Sequence, residues 1–354
     1  MFLEFFGLRE QPFGVSPDPR YLYLGPAHRE ALASLYYGIE ANRGFLSMVA
    51  RPGMGKTTLL FHLLAKFAHT ARTAFIFQTQ CNSREFMRFL LAEIGIENDV
   101  QDFVRMHEQF NRCLVQEARA GRRFIVVIDE AQNLDASVLE TVRLLSDFET
   151  PQAKLLQIIL VGQPTLADKL GSPALTQLRQ RITSLSGLTP LSPHETSRFI
   201  AHRLQVAGYK GHGLFSPDAL ELIAQASEGI PRQINNYCFH SLSLACAERK
   251  KIVDSTVVAE VINDLDISRF MTEVEAPLSM SRLSSGGGLS ADPLGRAGQS
   301  GQSATNPHGP AAANPKIATD SLSPAEAVQH MRDVARLLQN WRSGLVRPPD
   351  TQPS

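Results

Sequence analysis

Short apolar runs alternate with stretches of helical periodicity through the first half of the chain. Four of these runs have the length of strands, at residues 45–49, 74–78, 124–128 and 156–161. Continuous apolar runs are typical of strands that are buried on both faces. Strands that alternate with helices indicate successive strand–helix–strand units. The pattern therefore predicts an α/β fold in which helices cover a parallel sheet.

The pattern changes near residue 190, beyond which the sequence predicts only helices. Ser192 is a typical N-cap, Pro193 suits the first helical position, and Glu195 completes a capping box. Start signals of further helices occur at Ser216, Pro231 and Asp254. We therefore expect a small all-helical lid domain over residues 190–268, after an α/β domain over residues 1–189.

Beyond residue 268 the composition shifts to Ser, Gly, Pro, Ala and Gln. Such a segment buries too little apolar surface to offset the entropy of ordering, so we expect a disordered linker at 269–322. An amphipathic helix is predicted at 323–345, with a disordered end at 346–354. Its apolar stripe comprises Val328, Met331, Ala335, Leu338 and Trp341. This stripe docks on a partner or another protomer, or it packs on nothing in particular.

Composition and charge narrow the function classes only a little. The chain has 354 residues, 43% of them hydrophobic, so it is long enough for a large core. Its formal net charge is +0, and no overall basic field argues for nucleic acid. The four scattered cysteines suit reduced thiols in the cytosol. No apolar stretch nears the roughly 20 residues that span a bilayer, and the N-terminus lacks the features of a signal peptide.

A glycine-containing loop joins the first apolar run to a helical stretch predicted at 59–67. We expect the backbone amides of this loop and the positive end of the helix dipole to point toward the same anion, as they do in loops that bind polyphosphate. Lys56 is expected to reach the β and γ phosphates, and the Thr57 hydroxyl to bind Mg²⁺. Ala50 replaces the first glycine of the usual pattern, and a chance turn before a lysine is the alternative. The candidate nucleotide-binding residues of the loop are Arg51, Pro52, Gly53, Met54, Gly55, Lys56, Thr57 and Thr58.

Two carboxylates, Asp129 and Glu130, follow the third apolar run. Acidic residues at the end of a buried strand are costly unless they have a ligand or face water. We expect Asp129 to hold Mg²⁺ together with Thr57, and Glu130 to orient and deprotonate the attacking water. The alternative, an acidic cap on the next helix, fits Asp135 better than this pair.

Four further polar residues, at three places in the chain, fit a site that responds to the nucleotide. Gln163 follows the fourth run and is expected to sense the γ phosphate or position water, or else to hydrogen-bond its own turn. Arg179 and Arg181 end a helix just before a last short strand, and Arg181 is our choice for acting on a neighbouring protomer's ATP. Arg232 lies in the first turn of a lid helix, where a cation opposes the helix dipole and so indicates an anionic partner. Surface salt bridges or solvation are the alternatives for the arginines.

These motifs resemble the general secretion pathway protein A family of AAA+ P-loop ATPases, over about residues 1–268. The motifs that carry the resemblance are FGL at 6–8, PF at 12–13, PDPRYLY at 17–23, PAHREAL at 26–32, GKT at 55–57, DEAQNL at 129–134 and GQP at 162–164. The chain differs from the secretion members because we find neither a transmembrane helix nor a peptidoglycan-binding domain after the predicted lid.

The resemblance implies an AAA+ module that binds ATP at protomer interfaces and assembles into rings or filaments. In its terms Lys56 and Thr57 form Walker A, Asp129 and Glu130 form Walker B, Gln163 is sensor 1, Arg181 is a candidate arginine finger, and Arg232 is sensor 2. The aromatic N-terminal segment is implied to lie near the adenine or the protomer interface, although the residues alone are more typical of core.

We therefore expect an ATP hydrolase with ATP and Mg²⁺ as cofactors, cytoplasmic or peripheral to the inner membrane. It is expected to act as a homo-oligomer on a protein partner, in a secretion, pilus or exopolysaccharide export system. A DNA-binding regulator similar to transposition ATPases, and a nucleotide-gated scaffold with little hydrolysis, are the alternatives. The candidate DNA-contacting residues are Arg84, Arg88, Arg105, Arg119, Arg122 and Arg123.

Overall fold

A five-stranded parallel sheet organises the first part of the structure. The computed structural model describes residues 2–265 apart from residue 78, residues 97–101 and residues 150–153. The strand order is β2-β3-β4-β1-β5. The strands are β1 Phe45–Val49, β2 Ala71–Ile76, β3 Arg123–Ile128, β4 Gln157–Gly162 and β5 Ile182–Gly187. The predicted α/β fold with a parallel sheet is confirmed for the described residues.

The register of the sheet brings distant chain segments to one edge. Val49 of β1 pairs with Gly162 of β4, and Ile128 of β3 pairs with Leu160 of β4. All residues of β4 are buried, as expected for a strand inside the sheet. Because these parallel strands end side by side, the residues that follow each of them lie at the same carboxyl edge.

Eight α-helices precede the end of β5 in the described part of the chain. They are α1 Phe2–Phe6, α2 Pro26–Glu40, α3 Lys56–Lys66, α4 Ser83–Glu93, α5 Phe103–Arg119, α6 Ala136–Leu145, α7 Pro164–Leu170 and α8 Thr176–Arg181. Helix α3 begins three residues before the predicted start, because Gly55 is its left-handed N-cap. Phe86, Phe110 and Phe124 belong to an apolar cluster between α4, α5, α6 and the sheet.

Four helices follow β5, and the predicted start signals are observed at each. They are α9 Pro193–Val206, α10 Pro217–Ala226, α11 Pro231–Ala247 and α12 Ser255–Asp264. Ser192 and Glu195 form a complete capping box at α9. The Ser216 side chain accepts a hydrogen bond from the Ala219 amide, and Asp254 accepts one from the Val257 amide. The predicted all-helical segment is therefore confirmed.

The N-terminal segment packs with these four helices in one core, which we call the helical cluster. Its buried members include Phe6, Leu8, Phe13 and Tyr21 from the segment, and Phe199, Ile200, Phe215, Ile223, Ile234 and Leu242 from the later residues. The Arg203 side chain on α9 donates a 2.6 Å hydrogen bond from Nε to the Pro12 carbonyl. These N-terminal aromatics are thus core residues, as the residue types alone indicate. The place near the adenine or the protomer interface that the resemblance implies stays a prediction.

The predicted domain boundaries at residues 189 and 268 stay predictions. The helical cluster contains residues that precede residue 189 as well as residues that follow it. The predicted linker at 269–322, amphipathic helix at 323–345 and disordered end at 346–354 lie outside the described residues. Within the part of the chain that the structure covers, no helix has both the length and the apolar character needed to cross a membrane.

Candidate active site

The glycine-containing loop lies between β1 and α3, as its sequence predicts. Gly53 has a φ of 78°, in the left-handed region that favours glycine. A Cβ atom there would also lie 2.8 Å from Cβ of Arg232, so a larger residue would collide with α11. The first amides of α3 have no partners within the helix and suit an anion. The loop therefore has the geometry of a phosphate-binding loop.

The side chain of Lys56 is folded against this loop. Its Nζ donates hydrogen bonds to the carbonyls of Ala50 at 3.1 Å and Arg51 at 3.3 Å. Burial lowers the pKa of Lys56, while Glu130 and Asp129 act in the opposite direction. The lysine thus lies within the electrostatic reach of both predicted acidic residues.

Thr57 and Asp129 are in direct contact. Oγ1 of Thr57 donates a 2.9 Å hydrogen bond to Oδ2 of Asp129, which is only 5% exposed. Burial raises the pKa of Asp129, and the hydrogen bonds from Thr57 and the Glu130 amide oppose that rise. A hydroxyl and a carboxylate oxygen at this spacing fit Mg²⁺, which prefers oxygen ligands and keeps several waters. No group of three or more His, Cys, Asp or Glu residues suited to a metal occurs in the described ranges.

The side chains of Glu130 and Gln163 also meet at this edge. Nε2 of Gln163 donates a 3.1 Å hydrogen bond to Oε2 of Glu130. Gln163 is the N-cap of α7 but makes no side-chain capping bond, so the alternative that it binds its own turn is wrong. Glu130 has a φ of 50°, which is unusual for a residue other than glycine. The structure therefore links the predicted base directly to the predicted phosphate sensor.

The start of α11 lies against the phosphate-binding loop. The amide of Arg232 donates a 3.1 Å hydrogen bond to the Gly53 carbonyl, and its side chain is exposed. Arg51 forms a 3.4 Å ion pair with Glu228, just before α11. Both partners of this pair are more than half exposed, so it contributes at most about 1 kcal/mol. These contacts place the predicted sensor arginine beside the loop.

The two arginines at the end of α8 differ in their surroundings. Arg181 contacts Asp147 in an ion pair and donates a 2.7 Å hydrogen bond to Oγ of Ser146. Arg179 is exposed, and no residue in the described ranges forms an ion pair with it. The salt-bridge alternative thus applies to Arg181, our first choice, and Arg179 is the more accessible of the two.

Three residues near the site were not singled out from the sequence. Gln132 donates to Oε2 of Glu130 at 2.6 Å, and Lys169 donates to the Gln132 carbonyl at 2.5 Å. Nε2 of the buried His28 lies 3.1 Å from the Met54 carbonyl. The DEAQNL run contains Gln132, and PAHREAL contains His28, so both stand in motifs whose individual contacts only the fold reveals.

The remaining loop residues take different positions. Met54 is fully buried, Pro52 is exposed, and Thr58 is half-buried in the first turn of α3. Their predicted roles in nucleotide binding stay predictions. The structure thus brings together the loop, the acidic pair, Gln163 and the start of α11. The hydrogen bonds that join these residues do not include Arg179 or Arg181 of α8.

Comparisons with known proteins agree with this geometry. A family model described as an AAA domain matches residues 39–170. General secretion pathway protein A of Aeromonas hydrophila is 39% identical over 254 residues, which cover 70% of this chain and 45% of that protein. The chain thus spans less than half of that relative's length. An uncharacterized HTH-type transcriptional regulator of Methanocaldococcus jannaschii is 27% identical over 282 residues, covering 68% of this chain and 66% of that protein.

A solved structure shows the same fold. The ORC2 protein of Aeropyrum pernix, in ADPNP and ADP complexes, superposes with a TM-score of 0.58 and 16% identity. The match covers 72% of this chain and 71% of that one. At this identity the likeness concerns the fold, and it confirms the predicted architecture of a sheet followed by helices.

Proposed function

Because this chain belongs to the AAA+ P-loop ATPases related to general secretion pathway protein A, we propose that it binds and hydrolyses ATP. The observation that supports this most directly is the 2.9 Å hydrogen bond from Thr57 to the buried Asp129. It places two oxygen ligands next to the phosphate-binding loop, where Lys56 supplies a cation. This is the arrangement that holds a triphosphate with its divalent ion.

The loop and Lys56 bind the phosphates in this proposal. The free amides at the start of α3 receive phosphate oxygens, and the helix dipole favours their negative charge. Lys56 exchanges its bonds to the Ala50 and Arg51 carbonyls for bonds to the β and γ phosphates. An anionic ligand also compensates the burial that lowers the pKa of Lys56.

Thr57 and Asp129 are the residues that would hold Mg²⁺. The chemistry that Mg²⁺ would supply there is compensation of the charge on the phosphate groups during transfer. The Thr57 hydroxyl oxygen and Oδ2 of Asp129, which share a hydrogen bond in this structure, would be the two protein oxygens available to the ion or to its waters. We expect nucleotide binding to weaken when the metal is removed with a chelator.

Glu130 and Gln163 carry the hydrolytic step. Glu130 takes a proton from water as the water oxygen bonds to the γ phosphorus. The bond from that phosphorus to the β,γ-bridging oxygen breaks, and its electron pair leaves with ADP. Gln163 contacts the same carboxylate at 3.1 Å and is suited to orient the water or the γ phosphate.

Residues outside the loop complete the site in an oligomer. Arg232 approaches the nucleotide from α11, since its backbone already contacts Gly53. Arg179 or Arg181 stabilises charge on the ATP of a neighbouring protomer in a ring or filament, an effect worth about 10³ to 10⁵ in rate where such a residue operates. Mixing Arg179→Ala or Arg181→Ala chains with Glu130→Gln chains tests this, because activity recovered in mixed assemblies requires action between protomers.

We further propose that hydrolysis drives assembly or remodelling of a protein complex, in a secretion, pilus or exopolysaccharide export system. The name of the Aeromonas relative, general secretion pathway protein A, supports the secretion context. In this proposal the protein works in the cytoplasm or at the periphery of the inner membrane. Cross-linking in the native cell, followed by identification of captured proteins, tests the partner class.

Calorimetry of ATP binding with and without Mg²⁺ is the experiment that tests the function. We expect magnesium-dependent binding by the wild-type protein and phosphate release on incubation. Lys56→Ala is expected to abolish both, because the loop loses the cation that binds the β and γ phosphates. Folded wild-type protein that binds no ATP would overturn the proposal. Binding without phosphate release would favour the nucleotide-gated scaffold.

DNA binding is a second candidate, favoured by the name of the Methanocaldococcus relative, an HTH-type transcriptional regulator. The arginines proposed for it are partly engaged elsewhere. Arg122 pairs with Glu117 at 2.6 Å, Arg123 with Glu40 at 2.9 Å, and Arg105 with Asp102 at 3.9 Å. A gel shift across salt concentrations, with and without ATP, tests this candidate, because phosphate contacts make affinity depend on salt.

A further inference from the structure

The side chain of Gln132 joins the two polar residues on which the proposed hydrolysis depends. Its Nε2 donates a 2.6 Å hydrogen bond to Oε2 of Glu130. Its Oε1 accepts a 3.0 Å hydrogen bond from the backbone amide of Gln163. One amide side chain therefore spans the ends of β3 and β4 and uses both its donor and its acceptor.

The two glutamine amides contact the same oxygen of Glu130. Gln132 and Gln163 both donate to Oε2, at 2.6 Å and 3.1 Å. No residue in the described ranges donates a hydrogen bond to Oε1 of this carboxylate. The carboxylate is thus held by one oxygen, and the other is left to accept a proton.

The surroundings of Gln132 fix its position. Nζ of Lys169, on α7, donates to the carbonyls of Gln132 at 2.5 Å and Leu134 at 2.8 Å. Gly162 leaves room for the amide, since a Cβ at that position would lie 2.6 Å from Oε1 of Gln132. Glu130 itself has a left-handed backbone, a strained conformation that persists only where its surroundings hold it. The segment after β3 is therefore held from the side of β4 and α7.

We propose that Gln132 is a positioning residue for the Glu130 base, an inference that rests on the proposed ATP hydrolysis. Its amide fixes Oε2 so that Oε1 faces the attacking water. Its acceptor bond sets the backbone of Gln163, so the base and the sensor keep a constant spacing. Removal of this amide misorients the carboxylate without removing any group that contacts the phosphates or the metal.

The test compares Gln132→Met with the wild-type protein. Methionine has a similar length but neither donates nor accepts at these positions. We expect kcat for phosphate release to fall about 10- to 100-fold, because small misplacements of a reacting group cost about 10² in rate. KM and the ATP dissociation constant should stay within about twofold, since the groups that bind substrate are unchanged. Gln116→Met, at an exposed position on α5, is the matched control and should keep the wild-type kcat.

A double variant separates positioning from a structural role. In a Glu130→Gln background, Gln132→Met should not lower the residual rate further, because the base that it positions is gone. An equal loss in both backgrounds would overturn the inference. Gln132→Glu keeps the acceptor for the Gln163 amide, loses the donor to Glu130 and adds a like charge beside it, so we expect a loss of kcat at least as large as that of Gln132→Met. This variant decides the question if the methionine variant does not fold.

The outcomes distinguish the two levels of the proposal. If the wild-type protein releases no phosphate, the proposed function fails first, and the positioning role fails with it. If the wild-type protein hydrolyses ATP and folded Gln132→Met or Gln132→Glu turns over at the same rate, only the role of Gln132 is wrong. A loss confined to kcat, absent from the Glu130→Gln background, supports it.

Discussion

The polar edge of the sheet and the helical cluster are built by opposite means. At the edge, residues from three separate segments meet through hydrogen bonds between Thr57 and Asp129 and between Gln163 and Glu130. In the helical cluster, aromatic residues from the N-terminal segment meet α9–α12 through apolar burial. Both regions bring together distant parts of the chain, but the first is suited to bind charge and the second to exclude water.

Burial has opposite effects on the stability of the fold in these two regions. Burial raises the pKa of Asp129 and lowers that of Lys56, so it disfavours the charged form of both groups. Such groups stabilise the fold little and suit an ionic ligand. Burial of aromatic side chains in the helical cluster stabilises the folded state directly. Substitutions in the two regions should therefore separate turnover from stability.

The largest effect is expected from Glu130→Gln, which tests the polar edge. Phosphate release should fall about 10²- to 10⁴-fold, the range for loss of a general base. ATP binding and the midpoint of thermal unfolding should change little, because the side chain keeps its size and the loop is intact. Glu221→Gln, at an exposed position on α10, serves as the control. Hydrolysis by Glu130→Gln at the wild-type rate would rule out Glu130 as the base.

Phe13→Ala tests the helical cluster and should give the opposite result. Phe13 is 2% exposed and packs edge-on against Phe215. We expect the free energy of unfolding to fall by about 3–5 kcal/mol, measured by denaturant titration, while hydrolysis per folded molecule stays near wild type. Val15→Ala, in the same segment but 85% exposed, should change stability by less than about 0.5 kcal/mol. A Phe13→Ala protein with wild-type stability and slow hydrolysis would contradict the assignment of Phe13 to a purely stabilising core.

His28 tests the boundary between the two regions and should give the smallest effect. It lies on α2 and contacts the Met54 carbonyl of the loop, and burial lowers its pKa from an ordinary 6.5. Because the unfolded chain then takes up the proton first, the stability tied to neutral His28 is present above pH 6.5 and is lost as the pH falls.

The variant His28→Gln should lose about 1 kcal/mol at neutral pH if its hydrogen bond to the loop is lost. It should also lose less stability than the wild type between neutral pH and pH 5. Parallel unfolding curves across this range measure both effects. An identical loss of stability at acid pH in the two proteins would assign that loss to other histidines, such as the half-buried His107 and His202.

The sequence was informative where a local pattern decides structure. The loop before α3, the acidic pair after β3 and the caps at Ser192, Ser216 and Asp254 each depend on neighbouring residues. The start of β2 was missed because its first residues are not all apolar. Arg72 lies inside that strand and forms a 2.9 Å ion pair with the buried Glu117, a contact across 45 positions.

The contacts of Gln132, His28 and Lys169 could not be predicted from the sequence. Each depends on which segments the fold brings side by side, and their residue types are common on exposed helices and loops. For Arg181, the sequence position predicted an action between protomers, whereas the structure shows an ion pair with Asp147 in the same chain. A motif thus identifies the residue that does the chemistry more readily than the residues that hold it.

The left-handed backbone at Glu130 has a consequence for evolution in the laboratory. An L-residue with a side chain costs about 1–2 kcal/mol in that conformation, whereas glycine adopts it freely. Selection of this protein for heat resistance alone should therefore enrich glycine at position 130, and the survivors would be durable but inert. Under the proposed function, the carboxylate at this position lowers the stability of the fold and supplies the base for hydrolysis.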